Sequence, residues 1–358
     1  MSKFHALRVA SCKPETRDAI VVTFEVPEEQ REAFRFTQGQ HLTLRSIFEG
    51  EEIRRSYSIC AAPDQGILQV AIKRVADGMF STWAHQELQP GHVIECMEPA
   101  GHFNVPLDPQ SCRHHVAFAA GSGITPVVSI IKATLKAEPE SRFTLFYGNR
   151  ASSGVIFKEE LENLKDRYLS RFNLVFILSR EQQDIELFNG RIDRAKCDEL
   201  LQRWIDPSGI DVAYICGPQS MMEEVSTSLM AHGVEKSRIK MELFASGLPK
   251  GPRKVSAAPV KGTKDCKVTL IQDGRTREFF VEKNKDTLLD AALEQGIELP
   301  YACKGGVCST CRCKMLRGEV DMDVNFALED YEVARGFILT CQSYPVADEL
   351  VLDFDQES

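Results

Sequence analysis

Four cysteines near the C-terminus constrain the fold of this 358-residue chain more than any other feature of its sequence. Cys303, Cys308 and Cys311 follow the spacing C-x4-C-x2-C, and Cys341 stands in a separate segment. Thiolates in such a pattern are typical ligands of iron–sulfur clusters. Two glycines stand between the first two cysteines, and glycine lets a loop backbone approach a cluster closely. The last part of the chain must therefore fold so that two separate segments meet around one cluster.

The spacing distinguishes between two kinds of metal site. A structural zinc site usually takes two C-x2–4-C pairs, and here the second pair is missing. A C-x4-C-x2-C motif with a distant fourth cysteine is the arrangement of plant-type [2Fe–2S] ferredoxins. We therefore predict Cys303, Cys308, Cys311 and Cys341 as ligands of a [2Fe–2S] cluster. Cys313, just beyond the motif, is interpreted as a packed thiol.

The remaining composition is that of a soluble globular protein. The chain has 12 cysteines, with 43% hydrophobic and 27% charged residues. It contains no run of about 18 apolar residues that could span a membrane, and its N-terminus lacks the apolar core of a signal peptide. Clustered cysteines without a secretion signal favour metal or redox chemistry over disulfides. We therefore expect a cytoplasmic protein that does not enter a membrane.

The acidic excess is concentrated at the C-terminal end. Residues 265–358 carry 10 Lys+Arg and 19 Asp+Glu, whereas the rest of the chain carries 33 of each. An acidic module argues against nucleic-acid binding, which relies on basic residues at phosphates. It suits docking onto a basic surface of a partner protein, although solubility alone would also explain it.

The hydrophobic pattern divides the chain into three domains and a linker. Residues 1–107 contain short, partly alternating β-branched runs, which predict an antiparallel β-barrel or sandwich. Residues 108–247 alternate continuous apolar runs with helix-like segments, which predicts a doubly wound parallel sheet covered on both faces. Residues 248–264 hold three prolines, two glycines, five basic residues and no acid, so we predict a flexible basic linker. Residues 265–358 form a small third domain that contains the cysteine motif.

A short motif in the first domain has the residue types that bind a flavin. It reads Arg54-Arg55-Ser56-Tyr57-Ser58, at the start of a predicted strand. Arginine can hold a diphosphate as a bidentate fork, tyrosine can stack on a flat ring, and a serine hydroxyl can hydrogen-bond a flavin nitrogen. Exposed residues of any strand would give the same short pattern.

Residues 78–82 strengthen the interpretation because they open a predicted helix, and helix N-termini bind phosphate through free amides and the dipole. N-capping by Ser81 or Thr82 would explain the same residues without a ligand. The residues of the first domain that we assign to cofactor binding are Arg55, Ser56, Tyr57, Ser58, Ile72, Lys73, Gly78, Met79, Phe80, Ser81 and Thr82.

The second domain carries a phosphate-binding loop of its own. The segment from Gly121 to Pro126, which reads G-S-G-I-T-P and includes Thr125, follows an apolar strand and precedes a helix-like run. This is the context of a nucleotide-binding loop. Pro126 replaces the last glycine of G-x-G-x-x-G, which costs little in the first turn of a helix. Any doubly wound domain could also have a glycine turn here.

Polar residues at two strand ends suit the 2′-phosphate of NADP. Ser179 and Arg180 close the third apolar strand of the domain, and Arg150 follows the second. Open parallel sheets bind ligands at the carboxyl ends of their strands, and arginine binds phosphate as a fork. A solvated strand end is the alternative interpretation.

Cys216, Gly217 and Pro218 close the fourth apolar strand. The cysteine could border a nicotinamide ring, with Gly217 leaving room for it. A buried cysteine followed by a turn is an equally ordinary explanation of the residues themselves.

Together these motifs, in this order, resemble the ferredoxin–NADP reductase superfamily with a fused C-terminal ferredoxin. The segments 39–44, 55–60, 147–150 and 299–308 resemble more closely the family of reductase subunits of ring 1,2-phenylacetyl-CoA epoxidase, which serve a di-iron oxygenase in bacterial phenylacetate degradation. The resemblance covers nearly the whole chain.

The resemblance implies a fold, cofactors and roles for individual residues. It implies a β-grasp ferredoxin domain and the cofactors FAD, NADPH and one [2Fe–2S] cluster. Electrons would pass from NADPH to FAD, then to the cluster, and then to the subunits of a di-iron oxygenase. Tyr57 would stack on the flavin ring and Ser58 would lie near its reactive N5. The residues that would border the nicotinamide nucleotide are Gly121, Thr125, Pro126, Arg150, Ser179, Arg180, Cys216, Gly217 and Pro218. Glu242-Leu-Phe244 ends the domain, and Phe244 would lie near the flavin.

Other functions remain compatible with the sequence. Steroid 9α-hydroxylase reductases share the same layout, and an aromatic-ring oxygenase would be a third kind of partner. A non-catalytic electron carrier or redox sensor would need the cluster but no working nucleotide site.

Overall fold

The computed structural model describes residues 4–244 and 264–356. The chain divides into two compact units, one containing residues 4–244 and the other residues 264–356. The predicted linker, residues 248–264, lies outside the described residues except for Lys264. The domain boundary at residue 107 stays a prediction, since both halves of the first unit form one compact body.

The first half of the N-terminal unit is an antiparallel sheet. Its strands are β1 (Phe4–Thr16), β2 (Ala19–Glu25), β3 (His41–Phe48), β4 (Glu51–Ser58), β5 (Leu68–Lys73) and β6 (Val93–Met97), and helix α1 (Met79–Glu87) follows β5. The strand order is β4-β3-β6-β1-β2-β5. An antiparallel bridge between Ile59 and Val70 joins the end of β4 to β5, so the two edges of the sheet meet. The predicted antiparallel barrel is therefore confirmed.

The second half is a parallel sheet with a helix between successive strands. The strands are β7 (His114–Ala120), β8 (Arg142–Asn149), β9 (Phe172–Leu178), β10 (Val212–Cys216) and β11 (Ile239–Glu242), and the helices are α2 (Ile124–Ala137), α3 (Lys158–Arg167), α4 (Arg194–Arg203) and α5 (Gln219–Ala231). The order is β11-β10-β7-β8-β9. Because the chain crosses to the other side of β7 after β9, the carboxyl ends of β7 and β10 flank the topological switch point, where such sheets bind ligands.

The continuous apolar runs form these strands because the strands are buried on both faces. Tyr147, Tyr214 and Phe118 are fully buried, and helix α2 is buried along nearly its whole length.

The barrel and the parallel sheet share a hydrophobic core. Ala19, Val21 and Cys60 of the barrel belong to the same buried cluster as the α2 side chains. Two polar contacts also join the halves, from Ser129 Oγ to the Ala61 carbonyl at 2.6 Å and from the Phe157 amide to a Glu15 carboxylate oxygen at 2.7 Å. The shared core fixes residues of the barrel against the strand ends of the sheet.

The C-terminal unit is a mixed sheet of the β-grasp type, as the resemblance implies. Its elements are β12 (Asp265–Gln272), β13 (Arg275–Glu282), α6 (Leu288–Glu294), β14 (Arg312–Arg317), β15 (Val320–Met322), α7 (Asp330–Ala334), β16 (Phe337–Leu339), β17 (Ser343–Pro345) and β18 (Glu349–Asp353). The main sheet has the order β13-β12-β18-β14-β16, with β12 and β18 parallel. The cysteine loop lies between α6 and β14, and Cys341 lies between β16 and β17.

Within the described ranges, 4–244 and 264–356, the helices are all too short or too polar to cross a membrane.

Candidate functional site

Three side chains from distant parts of the sequence meet at the switch point of the parallel sheet. Ser58 is the last residue of β4, Cys216 of β10 and Glu242 of β11. The Ser58 hydroxyl donates a hydrogen bond to a Glu242 carboxylate oxygen at 3.1 Å. Cys216 and Glu242 are register partners on adjacent parallel strands. The barrel thus contributes one hydroxyl, and the sheet one thiol and one carboxyl, to a single site.

Burial controls the protonation of this site. Ser58 and Cys216 are almost completely buried. Burial raises the pKa of Glu242 to about 8, although the Ser58 hydrogen bond opposes the shift. Burial, followed by the nearby Glu242 charge, raises the pKa of Cys216 well above its usual value. At neutral pH the site therefore holds a protonated carboxyl beside a neutral thiol.

Glu242 is the residue that the sequence analysis missed. The motifs point to its segment, but Phe244 is the residue they select there; Phe244 is half-buried and packs against the central hydrophobic cluster. An acidic residue that ends a strand of a parallel sheet was the available signal, since such strand ends carry ligand-binding residues.

The R-x-Y-S motif, residues 55–58, lies at the end of a strand and not, as the sequence analysis expected, at the start of one. It closes β4, because the turn at residues 49–50 starts the strand earlier than the hydrophobic pattern indicated. Arg55 is exposed and donates to the Arg54 carbonyl. The Tyr57 ring lies 5.8 Å from the Phe80 ring, and burial raises the pKa of Tyr57. The Ser56 hydroxyl oxygen lies 3.4 Å from the Thr43 hydroxyl oxygen on the neighbouring strand.

The side chains of residues 78–82, at the start of α1, have different surroundings. Gly78 is the N-cap of α1, and Met79 is exposed where the helix begins. The Phe80 side chain is buried in the barrel core, so only its backbone can contact a ligand. Ser81 Oγ accepts from the Val75 amide and donates to the Gly78 carbonyl, which fixes the preceding loop. The Thr82 amide donates to the same carbonyl at 2.9 Å and closes the first turn of α1; the amides that precede it in a helix have no partner within the helix, which suits a phosphate.

The two β5 residues that were predicted to bind a cofactor, Ile72 and Lys73, differ in their surroundings. The Ile72 side chain is completely buried in the barrel core. Lys73 forms an ion pair with Asp18 at 3.5 Å, and its ammonium lies 3.8 Å from where a side chain on Gly121 would begin. Lys73 therefore brings a positive charge from the barrel to the glycine loop of the sheet.

The glycine loop packs directly on the end of β10. A Cβ on Gly123 would lie 2.1 Å from the Cys216 carbonyl oxygen, so a glycine is required there. Thr125 Oγ1 donates to the Ser122 carbonyl at 3.0 Å, and the Tyr147 hydroxyl donates to the Gly121 carbonyl at 2.9 Å. These bonds fix the loop at the amino end of α2, where free amides suit a phosphate.

The residues that follow β10 complete this side of the site. Met221 packs directly against Gly217, because a Cβ there would lie 2.6 Å from the Met221 methyl carbon. Pro218 is the N-cap of α5, and Pro126 lies buried in the first turn of α2. The structure thus brings together Cys216, Gly217 and the glycine loop.

The two predicted phosphate-binding arginines are neighbours. The Arg180 amide donates to the Arg150 carbonyl at 2.8 Å, and the Ser179 amide to the Asn149 carbonyl at 3.0 Å. Both arginine side chains are exposed. The adjacent Glu181 carboxylate accepts from the Ser152 amide and hydroxyl at 2.7 and 2.9 Å.

The four predicted cluster ligands face one another in two pairs. The Cys303 side chain lies beside that of Cys308, and the Cys311 side chain beside that of Cys341. The neighbouring Cys308 thiol, together with backbone amides that include Gly305 at 3.3 Å, lowers the pKa of Cys303 to about 6 against the effect of burial. Hydrogen bonds to the Cys303 sulfur favour its thiolate, which is the metal-binding form, whereas the partner thiols and burial raise the pKa values of Cys308 and Cys311.

This arrangement fits a two-iron cluster. A [2Fe–2S] cluster takes four cysteines, two for each iron, which matches two pairs of thiols. In residues 4–244 and 264–356, no three His, Cys, Asp or Glu side chains gather around one point. Cys313 is buried in the core of the C-terminal unit, as predicted for a packed thiol.

Three protein-family models match successive parts of the chain. They describe an oxidoreductase FAD-binding domain at residues 6–105, an oxidoreductase NAD-binding domain at residues 118–227 and a 2Fe-2S iron-sulfur cluster binding domain at residues 270–346. The predicted cofactor types, FAD, a nicotinamide nucleotide and a [2Fe–2S] cluster, are confirmed by these models.

Relatives extend over the whole chain. It is 45% identical to one of the subunits of the 1,2-phenylacetyl-CoA epoxidase of Escherichia coli (strain K12), over 99% of both chains. It is 33% identical to the ferredoxin reductase component of the 3-ketosteroid-9-alpha-monooxygenase of Rhodococcus rhodochrous, over 97% of this chain and 96% of the relative. Phthalate dioxygenase reductase shares the fold, with a TM-score of 0.58 and 23% identity over 98% of both chains.

Proposed function

Given that this chain belongs to the family of FAD- and [2Fe–2S]-containing reductase components of oxygenases, we propose that its reductant is NADPH and its partner a di-iron phenylacetyl-CoA epoxidase. The chemistry that the cofactors supply when bound is hydride acceptance by FAD and one-electron transfer by the cluster. The protein aligns the cofactors and sets the protonation of the groups around them. The observation that carries the proposed reduction of FAD is the contact between Ser58 of the barrel and Glu242 beside Cys216.

The side chains at the switch point divide this work. Ser58 would donate its hydroxyl hydrogen to the flavin nitrogen that receives the hydride. Glu242 holds a proton at neutral pH and can donate it to Ser58 Oγ, which frees the Ser58 hydrogen to point at the flavin. Cys216 and Gly217 would border the nicotinamide.

The remaining assigned residues would hold the two nucleotides. Arg55, Tyr57 and the start of α1 would bind FAD. Lys73 and the glycine loop would bind the diphosphate of NADPH, because they combine a positive charge with free amides at a helix N-terminus.

A preference for NADPH is supported by the neighbouring Arg150 and Arg180. Glu181 is bound to Ser152, so its negative charge is held by a backbone amide and a hydroxyl. Two exposed guanidinium groups at adjacent strand ends suit a dianionic phosphate.

We expect Arg180→Ala to lower kcat/KM for NADPH about 10- to 100-fold, because a hydrogen bond to a charged group is worth about 1.5–3 kcal/mol. The value for NADH, which has no 2′-phosphate, should change little. The measurement is dye reduction with each nucleotide, and Arg167→Ala on helix α3 is the matched control. An unchanged NADPH-to-NADH ratio in both Arg180→Ala and the Arg150→Ala/Arg180→Ala double variant would remove the NADPH assignment.

The choice of partner rests on the 45% identity, over the full length, to a component of a phenylacetyl-CoA epoxidase. When the cofactor-loaded protein is mixed with the oxygenase subunits of a phenylacetyl-CoA epoxidase, NADPH oxidation should be coupled to epoxide formation and should require phenylacetyl-CoA. The oxygenase component of a 3-ketosteroid monooxygenase is the control partner, and equal or faster coupled turnover with it would overturn the proposal.

We also propose a cytoplasmic location. All twelve cysteines lie within the described residues and none of them forms a disulfide, which is typical of proteins in a reducing compartment.

A further inference from the structure

Gln342, the residue after Cys341, joins the two segments that carry the cysteines. Its side-chain nitrogen donates to the Lys304 carbonyl at 3.0 Å and to the Cys341 carbonyl at 2.9 Å. The same nitrogen also donates to the Cys341 sulfur at 3.6 Å, and because the amide carries two hydrogens for three acceptors, one hydrogen is shared with this sulfur. Because carbonyl oxygens only accept hydrogen bonds, the nitrogen of the Gln342 amide, and not its oxygen, faces the Lys304 and Cys341 carbonyls.

The rest of Gln342 is held firmly. Its backbone amide donates to the Leu339 carbonyl at 2.9 Å, and its carbonyl accepts from the Asp323 amide at 2.9 Å. A Cβ on Gly306 would lie 3.1 Å from Gln342 Cγ, so the stem of the side chain packs against the glycine of the cysteine loop. The position of the amide is therefore set by both segments.

We propose that Gln342 is a positioning residue that raises the reduction potential of the cluster and slows cluster loss. The inference rests on the proposed assignment of Cys341 as a ligand. An N–H group directed at a thiolate sulfur stabilises negative charge, and the reduced cluster carries one more electron than the oxidised one. Removing the donor therefore disfavours the reduced form. It also breaks the link between Lys304 and Cys341.

The test compares Gln342→Leu and Gln342→Met, which keep most of the volume but lack the donor, with Gln272→Leu. Gln272 ends β12, a strand without cluster cysteines. The midpoint potential is measured by redox titration followed by electron paramagnetic resonance, and cluster loss by the decay of visible absorption with an iron chelator. Both Gln342 variants should have a more negative potential than the wild type, and cluster loss should be about 10- to 100-fold faster. The control should match the wild type in both.

The outcomes separate the possible failures. Faster cluster loss at a wild-type potential would overturn the proposal, because a merely structural clasp predicts that result. Wild-type values of both quantities would overturn it as well. A Cys341→Ser variant that keeps a wild-type cluster would instead refute the ligand assignment on which the inference rests. If Gln342→Leu assembles no cluster, the potential of Gln342→Met decides.

Discussion

Replacing Ser58 with alanine should slow the reduction of bound FAD by NADPH about 100-fold. The barrel contributes this hydroxyl to the switch-point site, and Glu242 fixes it. Removing a single preorganised donor from a reacting centre typically costs about 10²–10³ in rate. The measurement is single-turnover loss of flavin absorbance under anaerobic conditions at saturating NADPH.

The control for this experiment is Ser46→Ala, which removes a hydroxyl from β3 at the register position of Ile53, away from the end of β4. Ser46→Ala should reduce FAD at the wild-type rate, and Ser58→Ala should retain bound FAD. A Ser58→Ala rate within about twofold of wild type, far below the loss expected for a catalytic donor, would refute the role of the hydroxyl.

The contact between Ser58 and Glu242 makes the reduction of FAD depend on pH. Below pH 8 Glu242 is protonated and can donate to Ser58 Oγ; above pH 8 it is ionised and accepts the Ser58 hydrogen. The rate of flavin reduction should therefore fall as the pH rises through about 8, and Glu242→Gln, which cannot ionise, should lack this step. The persistence of the step in Glu242→Gln would assign it to another group.

Replacing Cys308 with serine should abolish electron transfer to the oxygenase while leaving the reduction of FAD by NADPH intact. Cys308 is buried beside Cys303, so its loss removes half of one thiol pair. A dye that takes electrons from the flavin measures the first part of the path, and coupled oxygenase turnover measures the whole path.

Cys313→Ala is the matched control for Cys308→Ser. Cys313 is equally buried in the same domain, but it faces the hydrophobic core of the C-terminal unit. It should keep the visible spectrum of the cluster and the wild-type rate of oxygenase reduction. Transfer to the oxygenase that survives in Cys308→Ser would contradict the order of cofactors along the path.

The sequence by itself determined the features that depend on local spacing. The three clustered cysteines lie within nine residues of one loop, so their spacing indicates the type of cluster without knowledge of the fold. The continuous apolar runs of β7 to β10 identified the parallel sheet because buried strands need apolar residues on both faces. The glycine loop was also predicted from the sequence, since its strand–turn–helix context is contiguous in the chain.

Only the tertiary structure decided which distant residues meet. Ser58 and Glu242 are 184 positions apart, and they touch because the barrel and the sheet share one core. The approach of Lys73 to Gly121 and the contact of Gln342 with Lys304 arise in the same way. Such contacts leave no spacing rule in the sequence, because they depend on how whole elements pack rather than on the geometry of a short segment.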